Sequence, residues 1–137
     1  MGDQQPLSRV VTAQVPASAV GVDATAVVVA PFAGTVTAVS YIPTAAITGA
    51  DTNSRTMAVT NKGQAGSGST AVASKALTNT VNMVAFDENA VTLSGTAANL
   101  VVADGDVLSC TSTHIGTGIA DPGGTFRVTF KRDNSAA

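Results

Sequence analysis

The chain has 137 residues, a length typical of one compact domain that can bury a core without disulfides or metals. Charged residues make up 12% of the sequence, against the ~25% usual in soluble proteins, and the net charge is −2. This composition excludes a chain kept disordered by high charge and argues against a basic nucleic-acid-binding module. It indicates a single globular domain with few charges.

Most apolar residues recur with a period of two, which predicts β-strands. In chain order, strands are predicted at residues 26–30, 34–42, 55–61, 81–86, 91–93, 100–102, 106–113 and 125–131. In the last of these, Phe126, Val128 and Phe130 share one face, as expected for a half-buried antiparallel strand. The run at residues 26–30 does not alternate and is predicted to be covered on both faces. One helical turn at most is predicted, near residues 97–99.

Turn-forming residues separate these runs about every 8–12 residues, a spacing typical of β-sandwiches and barrels. The sequence therefore predicts an all-β fold: a single antiparallel β-sandwich or jelly-roll-like domain at residues 25–132. Residues 1–24 are predicted to form an extended N-terminal arm whose valines need another surface to cover them, and residues 133–137 a disordered tail. The loop at residues 43–54 is predicted to be functional or mobile, and residues 63–69 to form a flexible tip.

The residues that could carry catalysis do not group together. The one histidine, His114, follows the one cysteine, Cys110, by four residues, which along a strand means a separation of about 13 Å. A thiol–imidazole dyad is therefore not expected, and Cys110 is predicted to pack in the core. One cysteine and one histidine cannot complete a zinc site, and one cysteine cannot form a disulfide within the chain.

The acidic and glycine-rich segments are predicted to be turns. Asp104 and Asp106 flank a glycine, but no third acid nearby would help supply the roughly six to eight oxygen ligands of calcium. Gly116 and Gly118 lack the helix and the further glycine of a dinucleotide-binding fingerprint. A sugar or base platform would have to rest on Tyr41 or Phe32, so no enzyme activity, cofactor or metal is expected.

A surface with so few charges indicates that part of it is covered by copies of the chain or by a larger assembly. The alternative is a well-solvated surface of serine and threonine, and it stays open. No secretory signal or membrane-spanning run is predicted, so we expect synthesis in a cytoplasm without oxidative folding.

Three blocks of the sequence resemble small β-rich virion proteins of tailed phages that infect actinobacteria. They are residues 30–43 (APFAGTVTAVSYIP), residues 53–56 (NSRT) with 61–63 (NKG), and residues 103–108 (ADGDVL) leading to GTG, DPGG and a final VTF strand. The resemblance covers roughly residues 26–131. Such proteins are similar to head decoration, or cement, proteins, which bind the outside of the assembled capsid, often as trimers.

The resemblance implies a structural virion protein, made in the host cytoplasm and located on the outer capsid surface. Its partners would be the major capsid protein of the same virion and further copies of itself as a homotrimer, with no nucleic acid and no membrane. Two other functions stay open. One is a carbohydrate-binding or adhesive module of a phage fibre, and the other is a tail-tube or head-completion protein that forms rings.

Contact residues are predicted for the decoration role. The candidates for contact with the capsid or a neighbouring copy are Leu7, Val10, Val11, Val15, Val20, Ile47 and Arg55. The first five would anchor the N-terminal arm. The last two, together with the tip at residues 63–68, would be exposed contacts.

Overall fold

The computed structural model describes residues 7–132 and folds them into two antiparallel β-sheets packed against each other, which confirms the predicted all-β sandwich. Sheet I contains β1 (Ser8–Val15), β3 (Gly34–Pro43), β6 (Asn89–Ala90), β7 (Val101–Val102) and β9 (Gly124–Arg132). Its order is β1-β9-β3, with β6 and β7 both pairing with the other edge of β3. Sheet II contains β2 (Ala24–Val29), β4 (Ser54–Gly63), β5 (Thr70–Ala76) and β8 (Val107–Ile115), in the order β2-β8-β4-β5.

The core lies between the inner faces of the two sheets, because apolar residues alternate along their long strands. In β9, Phe126, Val128 and Phe130 point inward and are fully buried, as predicted. The inner face of sheet II is formed mainly by four buried residues of β4 and β8: Met57, Val59, Leu108 and Cys110. The predicted helical turn is a 3₁₀ helix at Ala97–Leu100. The described part of the chain has no helix long and apolar enough to cross a membrane.

Residues 8–15, predicted to belong to an arm, form β1 within sheet I. This strand pairs with β9 along its whole length, from Ser8 opposite Lys131 to Val15 opposite Gly124. Val15 is buried and Val11 packs against the core. The surface that covers these valines is therefore the chain's own sandwich. Residues 16–23 then connect β1 to sheet II, while residues 1–6 and the predicted tail at 133–137 lie outside the described residues.

Four local predictions are wrong. Residues 81–86 are not a strand but part of the connection from β5 to β6, with one isolated bridge between Met83 and Ile47. Residues 91–93 form no strand either and contribute one isolated bridge, between Leu93 and Ala73. The run at residues 26–30 is not covered on both faces, because β2 is an edge strand with outward valines. In β3, period-two alternation predicts Val36 and Val39 on opposite faces. A bulge at residue 37 shifts the alternation, so both residues lie on the inner face.

Substituting Val15 tests the assignment of β1 to the sandwich. Val15 is 3% exposed, so V15A removes buried methyl groups and should lower the free energy of unfolding by about 2 kcal/mol. V10A is the matched control, because Val10 lies on the outward face of the same strand and is 40% exposed. Its effect should stay within about 0.5 kcal/mol. Equilibrium urea unfolding measures both, and equal stabilities of the two variants would contradict the assignment.

Candidate functional site

A cluster of buried polar side chains lies between the two sheets near one end of the sandwich. Its members are Arg55 at the start of β4, Ser112 in β8, Tyr41 in β3 and Asp121 in the connection between β8 and β9. All four are buried, and Arg55 is 0% exposed. Because burial of a charge is costly unless the charge is paired and hydrogen-bonded, the partners of Arg55 and Asp121 decide what this cluster does.

The Arg55 guanidinium donates to acceptors from three segments of the chain. Nε donates to the Ile119 carbonyl at 2.9 Å, and Nη1 donates to both the carbonyl oxygen and Oγ of Ser112, each at 3.0 Å. Nη2 donates to the carbonyls of Val22 at 3.0 Å and Ala19 at 3.4 Å. These acceptors match the full set of N–H groups that a guanidinium carries. Arg55 thus binds β8, the β1–β2 connection and the β8–β9 connection at once.

The Asp121 carboxylate accepts hydrogen bonds from both sheets. Oδ2 accepts from Ser112 Oγ at 2.6 Å, and Oδ1 accepts from the Tyr41 hydroxyl at 2.9 Å and from the Gly123 N–H at 2.9 Å. Burial, followed by the negative charge of Asp121, raises the pKa of Tyr41 far above its usual value, so this hydroxyl remains a donor. Since Ser112 Oγ also accepts from Arg55, one hydroxyl links the two charged groups.

The same cluster holds the two irregular connections at this end of the sandwich. The backbones of Asp121 and Ser18 bond in both directions, each N–H to the other carbonyl at 2.9 Å. Gly123 has a φ of +91°, and a Cβ there would lie 3.0 Å from the backbone nitrogen of Ala17, so the close approach of the two connections requires glycine. Because the cluster is closed to solvent, we assign it to stability and positioning.

The period-two alternation of the sequence is enough to place two members of this cluster on the inner faces of their strands. Arg55 precedes Met57 by two residues, which places both on the same face of β4. Ser112 follows Cys110 by two residues, which places both on the inner face of β8. Sequence reasoning missed these polar positions because it followed only the apolar residues of each face. No local pattern marks Asp121, whose burial depends on the path of a connection.

Three of the predicted contact residues are buried, so they are not available as surface contacts. Ile47 and Arg55 were expected to be exposed, and this is wrong. Ile47 is the large apolar residue of the β3–β4 connection, and it enters the core through its bridge to Met83. Val15 points from sheet I into the core between the two sheets. The remaining four keep some exposure: Leu7 and Val11 are half-buried, and Val10 and Val20 are exposed.

Cys110 packs in the core, as predicted, and does not meet the histidine. Burial raises the pKa of its thiol to about 12, so it stays protonated near neutral pH. His114 lies at the end of β8 with its Nδ1 2.6 Å from Oδ1 of Asp23. The same carboxylate oxygen accepts the His114 backbone N–H at 2.9 Å. This backbone hydrogen bond lowers the pKa of Asp23 most, and the hydrogen bond with the imidazole ring lowers it further.

Residues 104–106 form a turn, as predicted. The Asp106 carboxylate accepts the backbone N–H of Ala103 at 2.9 Å and the Asn61 amide at 3.1 Å, and these bonds lower the pKa of Asp106, the first more than the second. Gly105 has a φ of +88°, which glycine adopts readily. Within residues 7–132, no three side chains of histidine, cysteine, aspartate or glutamate are grouped so that they could hold a metal ion.

The turn at residues 84–89, which we call the braced turn, carries the largest exposed apolar side chain. Phe86 is 77% exposed, and Val84 on the same turn is also exposed. The φ of Phe86 is +56°, which is uncommon for a residue with a bulky side chain. Its backbone N–H donates to the Pro43 carbonyl at 2.8 Å, which ties the turn to the end of β3.

The Asn89 side chain fixes the rest of the braced turn. Its Oδ1 accepts the Val84 N–H at 3.0 Å, and its Nδ2 donates to the carbonyls of Asp87 at 2.8 Å and Val84 at 3.0 Å. The two N–H groups of Nδ2 are shared with a third acceptor, the Tyr41 carbonyl at 3.2 Å, so the turn is bonded to the strand that carries the buried tyrosine. A strained backbone conformation costs about 1–3 kcal/mol and persists only where surrounding contacts enforce it. The turn therefore presents Phe86 from a fixed backbone.

Comparison with protein-family models, with curated proteins and with solved structures finds no match to this chain. Its function must therefore be inferred from its own surface. Two features of that surface stand out: the braced turn and the exposed valines of residues 20–29.

Replacing Arg55 by methionine tests the stabilising role of the buried cluster. R55M would leave the carbonyls of Ile119, Ser112 and Val22 without the N–H groups that now donate to them. A buried acceptor that loses its donor costs about 1–3 kcal/mol, so the loss of several should lower the free energy of unfolding by about 3–5 kcal/mol, measured in urea. R127M is the matched control, because the Arg127–Glu88 pair is largely exposed and should contribute less than about 1 kcal/mol. Similar stabilities for R55M and R127M would refute this role.

Thiol alkylation tests the placement of Cys110. In the folded protein, iodoacetamide at pH 8 should modify the thiol at least about 100-fold more slowly than in urea, because the thiol is buried and protonated. Mass spectrometry at timed intervals measures the modified fraction. Modification of the folded protein at the rate seen in urea would show that Cys110 is accessible.

Proposed function

We propose that this chain is a structural virion protein that binds the outer surface of an assembled phage capsid and stabilises it, in the manner of a decoration protein. The sequence blocks at residues 30–43, at 53–56 with 61–63, and within 103–130 support this role through their resemblance to such virion proteins. The partner is the major capsid protein of the same virion. Neither nucleic acid nor membrane is part of the proposal.

The observation that carries the proposal is the braced turn. Because the backbone of the braced turn is held by hydrogen bonds, covering Phe86 orders only the two torsions of its side chain, so less of the free energy of its burial is lost to conformational entropy. Phe86 and Val84 supply the apolar area. Phenylalanine presented in this way can insert into an apolar pocket between or within capsid subunits.

Polar groups surround this apolar centre, as in contact sites where a few residues supply most of the affinity. Arg127 donates from Nη1 to both carboxylate oxygens of Glu88, at 2.9 and 3.0 Å, and Ser40 Oγ donates to Glu88 at 3.1 Å. Asp87 lies next to Phe86 and is exposed. A rim of this kind excludes water from an apolar anchor without itself contributing much affinity.

Stabilisation of the capsid would follow from mass action. A protein that binds the assembled shell and not the free capsid subunit lowers the free energy of the shell, by an amount that grows with its concentration relative to the dissociation constant. No chemical step is required. The rigidity of the sandwich is then functional, because a ligand that does not reorganise loses less entropy on binding.

A carbohydrate-binding module is the second candidate, and the same side chain favours it. The predicted platform residues are not available, since Tyr41 is buried and Phe32 is half-buried against the core. Phe86 instead offers a free aromatic face on which a sugar ring could stack. A glycan array probed with the wild-type chain and with F86A separates this function from shell binding.

Sedimentation with capsid shells tests the proposal. Empty shells assembled from the capsid protein of the same virion are mixed with the chain, and the pelleted fraction is measured over a concentration series. Wild-type chain should pellet saturably and raise the melting temperature of the shells. F86A should bind about 30-fold more weakly, the loss of about 2 kcal/mol that is typical of an aromatic anchor.

V101A is the control for F86A, because Val101 is also an exposed apolar residue but lies on β7, outside the braced turn. It should bind like the wild-type chain. Wild-type chain that stays in the supernatant at every concentration would refute the proposed function. Equal binding by wild-type chain and F86A would leave the function standing and exclude the braced turn as the contact.

A further inference from the structure

The sandwich has four lateral strand edges, and three of them are protected. Residues 92–94 cover the outer edge of β5, where Ser74 N–H donates to the Thr92 carbonyl and Ser94 N–H to the Val72 carbonyl, at 2.9 and 2.8 Å. β6 and β7 cover the outer edge of β3. The edge of β1 carries the charge of Arg9, one of the devices by which natural proteins discourage strand pairing.

The fourth edge is that of β2, and within residues 7–132 it is neither covered by another segment nor interrupted by a charged residue. Among the described residues, β2 pairs with β8 alone, in a regular register without a bulge. Its sequence, ATAVVV, contains no charged residue, proline or glycine. An uncharged, regular strand of this kind at a free edge is a template for pairing with another strand.

Three alternate residues of β2 direct their backbone N–H and C=O groups toward a possible partner: Thr25, Val27 and Val29. Val29 lies opposite Val107, and the Ala30 N–H donates to the Asp106 carbonyl at 2.8 Å. In an antiparallel ladder this pattern makes Val29 a residue whose own N–H and C=O point away from β8, and alternation extends this to Thr25 and Val27.

The outward side chains of β2 form part of an apolar patch. Val27 is 58% exposed and Val29 is 50% exposed. Val20 and Val22, in the connection that leads into β2, are exposed as well. The patch therefore lies along the edge that no segment of residues 7–132 covers.

We propose that the β2 edge pairs with the β2 edge of a second copy, antiparallel about a twofold axis, so that sheet II continues across a dimer. A register centred on Val27 places Val27 opposite its own counterpart and Thr25 opposite Val29. Each such pair exchanges two backbone bonds, about six in total. Asp23 then lies opposite Pro31 of the second copy, so no like charges face each other.

A second copy is the occupant that this edge fits because the pairing is self-complementary. An uncharged row of small and β-branched side chains meets the same row, and both copies protect their free edge in one contact. The twofold operator gives a dimer in place of the trimer that the resemblance to decoration proteins implies. The inference goes beyond the proposed function and does not depend on a capsid.

Charge substitutions at Val27 test the register directly. Sedimentation velocity over a concentration series should show the wild-type chain approaching twice its monomer mass of 13.5 kDa. V27K and V27E should each weaken the dimer at least about tenfold, because two like charges then meet at the axis. An equimolar mixture of V27K and V27E should recover the dimer, since opposite charges lie across from each other. The recovery also shows that both variants are folded.

V101K is the control, because Val101 is as exposed as Val27 but lies in sheet I on β7. It should dimerise like the wild-type chain. A wild-type chain that is monomeric at every concentration, or that forms trimers, would overturn the inference. So would V27K and V27E variants that dimerise as well as wild-type chain, or a mixture that fails to recover the dimer. Shell binding by a monomer would overturn it while leaving the proposed function intact.

Discussion

The fold depends on a buried arginine, in a chain that has few charged residues. Arg55 is one of only seven lysine and arginine residues, and it lies between the sheets instead of on the surface. Burial of an unpaired guanidinium would cost several kcal/mol, so this position is tolerated only because carbonyls from two connections and the Ser112 hydroxyl accept its N–H groups. The connections, in turn, have no regular structure of their own and depend on the arginine.

The buried cluster and the braced turn are joined through β3. The Tyr41 hydroxyl donates to Asp121 inside the sandwich, while the Tyr41 carbonyl accepts from Asn89 at the base of the turn. The conformation that presents Phe86 is thus connected to the interior by two hydrogen bonds of one residue. This arrangement accounts for a positive φ at a bulky residue, because the turn is held at both Pro43 and Tyr41.

The sequence was sufficient to predict the sandwich and most of its long strands, because period-two alternation is strong in β4, β8 and β9. It was not sufficient for β1, because its valines indicate that another surface covers them but do not specify which strand provides that surface. The role of Arg55 was missed for a related reason: alternation places it inside, but its acceptors are carbonyls of connections whose path no local pattern specifies. The bulge at residue 37 similarly displaced the predicted faces of β3.

In a chain with so few charged residues, the exposed apolar residues are grouped at particular places on the surface. Several of them occupy one strand edge and one turn, and the largely exposed pair of Glu88 with Arg127 joins that turn to β9. A sandwich that leaves an edge strand uncharged and an aromatic ring in water has surfaces suited to association, both with itself and with a partner. Its interior supplies the rigidity that makes such contacts favourable.

Hydrogen exchange measured by NMR tests most directly whether the Arg55 cluster holds the two connections in place. The Nε proton of Arg55 and the amide proton of Gly123, both outside any backbone ladder, should exchange as slowly as the amide proton of Val128 in the centre of β9. Exchange of these two protons as fast as that of the amides in the exposed tip at residues 64–67 would contradict the account.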